Sequence, residues 1–249
     1  MKYGICPLSI VPLRLESSDK SELVSQVLYG EIFKVLEIQK KWSKIRLDFD
    51  SYEGWIDNKQ YQIITSEEFD SLKALSPKYA IDLVDFVATQ KKQLLTIPIG
   101  STVHHSNFLH NTFEGRCVSE KQPKEKLTET ALVYLNSPYL WGGKTPFGID
   151  CSGFTQMVYK INGYALLRDA SQQATQGEVL SFIEESEPGD LAFFDNNEGT
   201  IIHVGIILAD NYIIHSHGKV RIDRIDHTGI FNVDTKIYSH KLRVIKKIV

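Results

Sequence analysis

One cysteine has neighbours that would make it reactive. Cys151 stands between Asp150 and Ser152, and apolar side chains follow at positions 154, 157, 158 and 161. That spacing predicts a helix with Cys151 in its first turn. Unpaired backbone N–H groups and the positive end of the helix dipole stabilise a thiolate at such a position. Cys151 is therefore the candidate nucleophile, although most buried cysteines only pack.

The segment before Cys151 is a loop rich in glycine. Gly142, Gly143 and Gly148 allow the backbone to approach a bound substrate closely. Asp150 and Ser152 are residue types that favour the first turn of a helix, and a cysteine that merely packs does not need them.

Two downstream histidines supply the base that a cysteine nucleophile needs. His203 lies in the apolar segment 201–208, and His215 ends the next predicted strand after the turn at 209–211. A hairpin with that turn brings both histidines to one face of a sheet. His217 shares that face and is the alternative third member; we prefer His215. Cysteine, histidine and a polar third residue are the parts of a papain-like triad.

Helices precede strands in the C-terminal half of the chain. This order predicts an α+β fold, with helices packed on an antiparallel sheet. The predicted helices are 127–135, a helix from Cys151 to the stop at Asn162-Gly163, and another to which segment 166–173 crosses. The predicted strands are 191–194, 201–208, 212–215 and 242–248.

The first 65 residues have turn signals about every ten residues and alternate apolar with polar side chains. These features predict a small all-β barrel. Its predicted strands are 9–15, 23–28, 32–38, 42–47 and 52–56.

Residues 66–120 have a mixed pattern. Apolar residues between Leu72 and Val87 fall at helical spacings and predict a helical linker, with Pro77 interrupting it. Segments 94–103 and 113–118 have strand character and are candidates for a degenerate second barrel. We expect His104, His105 and His110 to lie in surface loops. The polar segment 121–126 is the predicted boundary, so the predicted domains are 1–65, 66–120 and 121–249.

Composition excludes several classes of protein. The 249 residues are 42% hydrophobic and 24% charged, with a formal charge of -3, as in an ordinary soluble protein with no attraction to nucleic acid or anionic membrane. No apolar run is long enough for a membrane span. The three cysteines make a disulfide framework unfavourable, and no cysteine or histidine spacing is typical of zinc. We expect no metal and no cofactor.

The compartment depends on the start of the chain. The residues after Met1 lack the apolar segment and cleavage site of a secretory leader. If Met1 is the native start, we expect a cytoplasmic protein; if a leader was removed, we expect a periplasmic or secreted one.

The motifs around these residues resemble a known family. Tyr139-x-Trp-Gly-Gly, Asp150-Cys-Ser-Gly-Phe, Arg168-Asp, Pro188-Gly-Asp-Leu, His203-Val-Gly-Ile and Ile214-His occur in an order similar to that of the NlpC-type cell-wall peptidases. This resemblance covers residues 125–249. Gly30-Glu31, Trp42 and Tyr52-Glu-Gly-Trp resemble bacterial Src-homology-3-like domains. The combination is similar to the gamma-D-glutamyl-L-diamino-acid endopeptidases, the dipeptidyl-peptidase VI type.

The resemblance implies an activity and a set of roles. It implies hydrolysis of the gamma-D-glutamyl–diamino acid bond in released peptidoglycan stem peptides with a free N-terminal L-Ala, with release of L-Ala-D-Glu for recycling. Cys151 is implied to attack, His203 to act as base and acid, and His215 to orient His203. Tyr139 and the Cys151 N–H are implied to stabilise the oxyanion. The residues implied to hold the peptide are Trp141, Asp150, Ser152, Asp169 and Ser171. Tyr52 and Glu22 are implied to meet the amine of the peptide, with Glu16 and Glu31 as alternatives to Glu22.

Other functions stay open at this point. The chain could be a secreted hydrolase of polymeric peptidoglycan, or a wall-peptide binding module without activity; acyl transfer or amidase chemistry on the same Cys/His scaffold is a further alternative. The sequence does not distinguish lysine from meso-diaminopimelate in the substrate. We expect a peptide as partner, no nucleic acid or membrane, and a monomer.

Overall fold

The computed structural model describes residues 2–196 and 198–249; Met1, on which the expected compartment depends, lies outside the described residues, as does Asn197. Backbone contacts divide the chain into two compact units. The first unit extends to Lys121 and also includes the later segment Trp141–Pro146. The second unit consists of Gln122–Leu140 and Phe147–Val249. The proposed segments 1–65 and 66–120 thus share one unit.

The first unit begins with a seven-stranded antiparallel sheet, in the order β3-β2-β6-β5-β4-β1-β7. Side chains that alternate along these strands enclose a core that includes Cys6, Val27, Phe33 and Ile56. The predicted all-β barrel is therefore confirmed, with two strands, β1 and β7, that the sequence analysis missed. The strands are β1 (Lys2–Ile5), β2 (Ile10–Arg14), β3 (Leu23–Leu28), β4 (Ile32–Ile38), β5 (Trp42–Leu47), β6 (Glu53–Asp57) and β7 (Gln62–Ile64).

The rest of the first unit contains one helix and several short strands. Thr65 caps the helix through a hydrogen bond from the Glu68 N–H. Strand β9 pairs with both β10 and β11, and β12 pairs with β8. The elements are α1 (Ser66–Lys73), β8 (Tyr79–Ala80), β9 (Val84–Thr89), β10 (Leu94–Pro98), a 3-10 turn (Val103–His105), β11 (Asn111–Thr112), β12 (Cys117–Val118) and, in the later segment, β13 (Lys144–Thr145).

Two predictions for this part were wrong. Helical spacing predicted one or two short helices in the linker, and α1 is one of them. The continuation through Val87 is wrong: Val84–Thr89 is a strand in which Val87 alone is buried, because a tight turn at Lys92 returns the chain as β10. His105 was expected in a surface loop. It is buried instead, since its two ring nitrogens contact the carbonyl oxygens of Gly30 and Leu72 at 2.7 and 3.1 Å.

The second unit packs helices on a closed antiparallel sheet. Its strand order is β15-β21-β16-β17-β18-β19-β20, and a further pairing of β20 with β21 closes six strands into a barrel. This confirms the predicted α+β class. The elements are α2 (Glu125–Val133), β14 (Gly148–Ile149), α3 (Cys151–Ile161), α4 (Ala170–Gln173), β15 (Glu178–Leu180), a 3-10 turn (Ile183–Glu185), β16 (Leu191–Asp195), β17 (Ile201–Leu208), β18 (Tyr212–His217), β19 (Lys219–Ile225), β20 (Gly229–Asn232) and β21 (Ile237–Lys247).

Helix α3 positions the candidate site. It begins at Cys151, ends at the cap Asn162 as predicted, and is buried over its whole length. It packs against β17 and β18, the two strands that carry His203 and His215. None of the helices in the described part of the chain combines the length and apolar character that a membrane span requires.

Candidate active site

The cysteine lies at the first position of α3. Asp150 caps this helix, its Oδ1 accepting a hydrogen bond of 2.6 Å from the Gly153 N–H. Backbone N–H groups of the first turn have no acceptor within the helix, and that of Ser152 faces the Cys151 thiol. The Cys151 sulfur also meets the backbone N–H of Val204, the residue that follows His203 in β17. The candidate nucleophile and candidate base thus lie beside the same stretch of β17.

His203 and His215 are in direct contact. His203 Nε2 lies 2.8 Å from His215 Nδ1, and the two rings meet edge to face. Both rings are buried, with 5% and 0% of their surfaces exposed. His217 shares the face with His215, as the period of the strand predicts, but it lies at the exposed end of β18.

A glycine makes this contact sterically possible. In the hairpin of β17 and β18, Gly205 rather than His203 lies directly opposite His215. A side-chain carbon at Gly205 would come within 2.9 Å of His215 Cβ and 2.7 Å of Ile213 Cδ1. Since residues 203 and 205 point to the same face, the empty space at Gly205 lets the two imidazoles meet diagonally.

A buried carboxylate extends the histidine pair. His215 Nε2 lies 3.0 Å from Asp223 Oδ2, and Asp223 on β19 is fully buried. Although burial raises the pKa of Asp223, hydrogen bonds from His215, Arg221 and the Val233 N–H hold this pKa well below its usual range. Asp223 is therefore an anion at neutral pH.

Burial keeps the thiol and the two imidazoles neutral. Burial, followed by the Asp150 carboxylate, raises the pKa of Cys151 to about 12 against the opposing effect of the Val204 N–H. Burial lowers the pKa of His203 well below 6.5, and it lowers the pKa of His215 more than Asp223 raises it. The resting site therefore holds a neutral thiol and a neutral base, so the thiol proton must leave as attack occurs.

Two rings cover the faces of His203. Phe194, its cross-strand partner on β16, lies 5.8 Å away between ring centroids. His240 of β21 stacks on the His203 ring at 4.1 Å with planes 20° apart. The pairings of β21 shift register on both sides of His240, and such bulges often redirect a side chain beside an active site.

In the described part of the chain, three imidazoles of this site lie close enough together to ligate a metal ion. The nearest ring nitrogens of His203, His215 and His240 lie within 4.8 Å of one another. A metal ion lies in the plane of an imidazole ligand, whereas the rings of His203 and His240 are stacked. Coordination would therefore require His240 to rotate and the His203–His215 hydrogen bond to break. The expectation that the protein binds no metal stays a prediction.

The predicted substrate residues Asp150 and Ser152 belong to a buried network. Arg168, 1% exposed, donates to both Asp150 oxygens at 3.0 and 2.7 Å and to Ser152 Oγ at 3.0 Å. The guanidinium neutralises the capping carboxylate beside the nucleophile. Sequence analysis noted Arg168 only as part of a motif, and this pairing is its structural role.

Tyr139 lies near the cysteine. Its backbone forms a bridge with Ile149, two residues before Cys151, and its N–H donates to the Gly218 carbonyl at 3.0 Å. Burial, followed by the proximity of Cys151 and Asp150, raises the pKa of Tyr139 to about 12. The phenol therefore keeps its proton and can donate it to an oxyanion.

Asp169 and Ser171 lie at the beginning of α4. The Asp169 N–H donates to Gln172 Oε1 at 3.1 Å, which helps to start the helix. Ser171 is exposed on that helix. Their roles at the peptide stay predictions.

The remaining predicted residues lie in the first unit. Glu22 is exposed, and its Oε1 accepts a hydrogen bond of 2.6 Å from Trp141 Nε1. Tyr52 packs against the barrel core, and its N–H donates to Asp50 Oδ1. Among the alternatives to Glu22, Glu16 is exposed.

Glu31, the other alternative to Glu22, is buried. It accepts a hydrogen bond from the Leu28 N–H and lies 3.5 Å from Lys144 Nζ, which is buried as well. These contacts explain Glu31 without a peptide amine.

The loop glycines have packing roles that sequence analysis did not predict. A side-chain carbon on Gly142, which has a φ of +76°, would lie 2.3 Å from the Leu23 carbonyl oxygen. One on Gly148 would lie 2.7 Å from Leu140 Cβ. Close approach to neighbouring protein atoms therefore accounts for both glycines.

A cysteine at a helix start, packed against strands that carry two bonded histidines, defines a papain-like cysteine peptidase. Residues 136–239 match the NlpC/P60 family. Residues 13–60 match the bacterial dipeptidyl-peptidase Sh3 domain. Both resemblances found in the sequence are thereby confirmed.

Similar proteins agree with this assignment. The chain is 28% identical over 227 residues to gamma-D-glutamyl-L-lysine dipeptidyl-peptidase of Bacillus subtilis (strain 168), covering 82% of this chain and 75% of that protein. It is 25% identical over 240 residues to dipeptidyl-peptidase 6 of Lysinibacillus sphaericus, covering 83% and 85%. The crystal structure of an NlpC/P60 family protein from Bacillus cereus ATCC 10987 has the same fold, with a TM-score of 0.78, 18% identity and 99% coverage of both chains.

Proposed function

We propose that this cysteine peptidase hydrolyses the gamma-D-glutamyl–diamino acid bond of peptidoglycan-derived peptides with a free N-terminal L-Ala, releasing L-Ala-D-Glu. The observation that carries the proposal is the buried chain His203–His215–Asp223 beside the Cys151 helix. The name of the Bacillus subtilis relative, gamma-D-glutamyl-L-lysine dipeptidyl-peptidase, supports the choice of bond, and the name of the second relative supports release of a dipeptide.

The first chemical step is attack by sulfur. Cys151 Sγ bonds to the gamma-carbonyl carbon of D-Glu while its proton passes to His203. Since His203 Nε2 is bonded to His215, its other nitrogen, Nδ1, takes this proton. The backbone N–H of Cys151 and the phenol of Tyr139 stabilise the oxyanion that forms.

The next steps release the two products. The C–N bond breaks, and His203 returns the proton to the amine of the leaving diamino acid. A thioester between Cys151 and L-Ala-D-Glu remains. A water molecule gives a proton to His203, its oxygen attacks the thioester carbon, and the C–S bond breaks with the proton returning to sulfur.

Glu22 supports the proposed preference for a free amine. It is an exposed carboxylate held by Trp141, and it has the charge that an ammonium group requires. A blocked peptide would lack that charge, so the enzyme would discriminate against it.

Mass spectrometry of peptide digests tests this function. The substrates are L-Ala-gamma-D-Glu-L-Lys and its meso-diaminopimelate counterpart, each with a free or an acetylated N-terminus. We expect L-Ala-D-Glu from free-amine peptides only, no product from Cys151→Ala, and full activity in Cys117→Ala, which removes an exposed thiol. Equal cleavage of acetylated peptides, or clearing of intact sacculi, would indicate a general wall hydrolase; binding of the peptides without cleavage would indicate a binding module.

A further inference from the structure

A carboxylate outside the predicted site touches the histidine pair. Asp223 lies eight residues after His215 on the neighbouring strand β19, and its Oδ2 is 3.0 Å from His215 Nε2. The position is fully buried. An aspartate there needs a reason, because a buried charge is costly unless it is bonded.

In the described part of the chain, each hydrogen-bond partner of this carboxylate donates to it. Oδ2 accepts from Arg221 Nε at 2.6 Å in addition to His215. Oδ1 accepts from Arg221 Nη2 at 2.8 Å and from the Val233 N–H at 3.0 Å. An arginine and a backbone amide can only donate, so the carboxylate is the acceptor on both oxygens.

Because Asp223 is an acceptor, it determines which ring nitrogens of His215 and His203 carry protons. Since Asp223 accepts, His215 must carry its proton on Nε2, and a neutral His215 then has a lone pair on Nδ1. His203 Nε2 lies 2.8 Å from that lone pair and must donate to it. The neutral His203 is therefore unprotonated at Nδ1, the nitrogen that takes the thiol proton.

We propose that Asp223 is a positioning residue that sets the tautomers of His215 and His203, and so makes His203 Nδ1 the base for Cys151. This inference rests on the proposed function. The carboxylate acts a second time when the proton reaches His203, because it stabilises the positive charge through His215.

The isosteric variant Asp223→Asn should move the ring proton of both His215 and His203 to the other nitrogen. If its amide nitrogen replaces Oδ2, it opposes one N–H group, Arg221 Nε; if it replaces Oδ1, it opposes two, Arg221 Nη2 and the Val233 N–H. The first orientation is preferred, and in it the amide donates to His215 Nε2. His215 Nδ1 then carries a proton, and so does His203 Nδ1.

The test measures tautomers and rates in the full-length protein. In ¹⁵N-histidine NMR, assigned with His203→Gln and His215→Gln, we expect an unprotonated His203 Nδ1 in the wild type and a protonated one in Asp223→Asn. We expect kcat to fall about 10³- to 10⁴-fold with KM changed less than about threefold, by analogy with the loss of the orienting carboxylate in a serine protease triad. Asp226→Asn is the matched control, since Asp226 bonds Tyr238 rather than a catalytic histidine; it should keep wild-type tautomers and kcat.

The outcomes separate this inference from the proposed function. If no peptide is cleaved but the wild-type tautomers and their reversal are observed, the substrate assignment fails and the role of Asp223 stands. A protonated His203 Nδ1 in the wild type would overturn the inference even if Asp223→Asn does not fold. A folded Asp223→Asn with kcat within about tenfold of wild type would overturn it too.

Discussion

Each unit of the protein buries a cysteine and a histidine, and only one pair is built for chemistry. Burial raises the pKa of Cys6 to about 12, as it does for Cys151. The surroundings differ: Cys6 lies in the barrel core and donates to the Leu8 carbonyl at 3.3 Å, whereas Cys151 begins a helix and contacts the Val204 N–H beside His203. A neutral thiol needs a base to become a nucleophile, so of these two cysteines only Cys151 can act as one.

The histidines differ in the same way. His105 in the first unit contacts two backbone carbonyls, and the ring of His104 lies 4.0 Å from it. His215 contacts His203 and Asp223, and His240 covers His203 at 4.1 Å. Burial and close contact with a second imidazole ring are thus common to both units. The partners of the ring nitrogens distinguish a structural histidine from one that moves protons.

Replacing each of the two cysteines by alanine should give the largest difference in kcat. We expect Cys151→Ala to lower kcat at least about 10⁴-fold, because the reaction loses its nucleophile. Cys6→Ala should keep kcat and lower the free energy of unfolding by about 1–2 kcal/mol, because it leaves a small core cavity. Steady-state kinetics and urea titrations measure both. A Cys151→Ala enzyme that retains a tenth of the activity would refute the comparison.

The buried histidines should show the next largest difference. His215→Ala is expected to lower kcat about 10²- to 10⁴-fold, because His203 loses its orienting partner. His105→Ala should leave kcat unchanged but destabilise the protein by about 2–4 kcal/mol, since two buried carbonyls lose their partner and a cavity forms. Kinetics at a temperature where both variants are folded separates these effects. Equal losses of kcat would mean that both histidines are structural.

Acid should lower the free energy of unfolding of the second unit, because the unit buries two neutral histidines. Burial lowers the pKa of both His203 and His215 below 6.5, so below about pH 6.5 the unfolded chain binds protons that the folded chain does not. Stability therefore falls as the pH decreases from 7 to 5, by at most about 1.4 kcal/mol per pH unit for each histidine. Urea titrations across this range measure the slope, and it should decrease in the His203→Gln/His215→Gln double variant. Stability that increases toward pH 5 would contradict the account.

The ring that covers His203 should give the smallest effect. A stacked ring contributes about 0.5–1.5 kcal/mol, so His240→Ala is expected to lower kcat about 2- to 12-fold. His240→Phe keeps a ring and should restore most of the activity. His104→Ala, the matched change in the first unit, should leave kcat unaltered. If His240→Phe is as slow as His240→Ala, the imidazole of His240 has a chemical role that stacking does not explain.

Local patterns carried much of the fold and the reacting residues. Helical spacing after Cys151 predicted α3, apolar segments predicted β17 and β18, and the hairpin between them predicted the shared face of His203 and His215. These features depend on residues close in the chain. The helix predicted near Val87 failed because a turn and cross-strand pairing decided that segment.

The residues missed by sequence analysis depend on tertiary contacts. Asp223 and His240 become neighbours of the histidines only when β18–β19 and β20–β21 pair, and Arg168 reaches Asp150 across an interval of 18 residues. Alternation along Lys219–Ile225 places Asp223 on the polar face with Lys219 and Arg221, so local patterning does not signal its burial.

Intact-mass spectrometry after rapid quenching tests the central claim most directly. Incubation of the wild-type enzyme with L-Ala-gamma-D-Glu-L-Lys should produce a transient adduct with the mass of the L-Ala-D-Glu acyl group, located on the Cys151 peptide, while free lysine accumulates. Two results would contradict the assignment of Cys151 and His203 as the reacting pair. One is that both the wild type and His203→Ala form product without any adduct; the other is an adduct on Cys117.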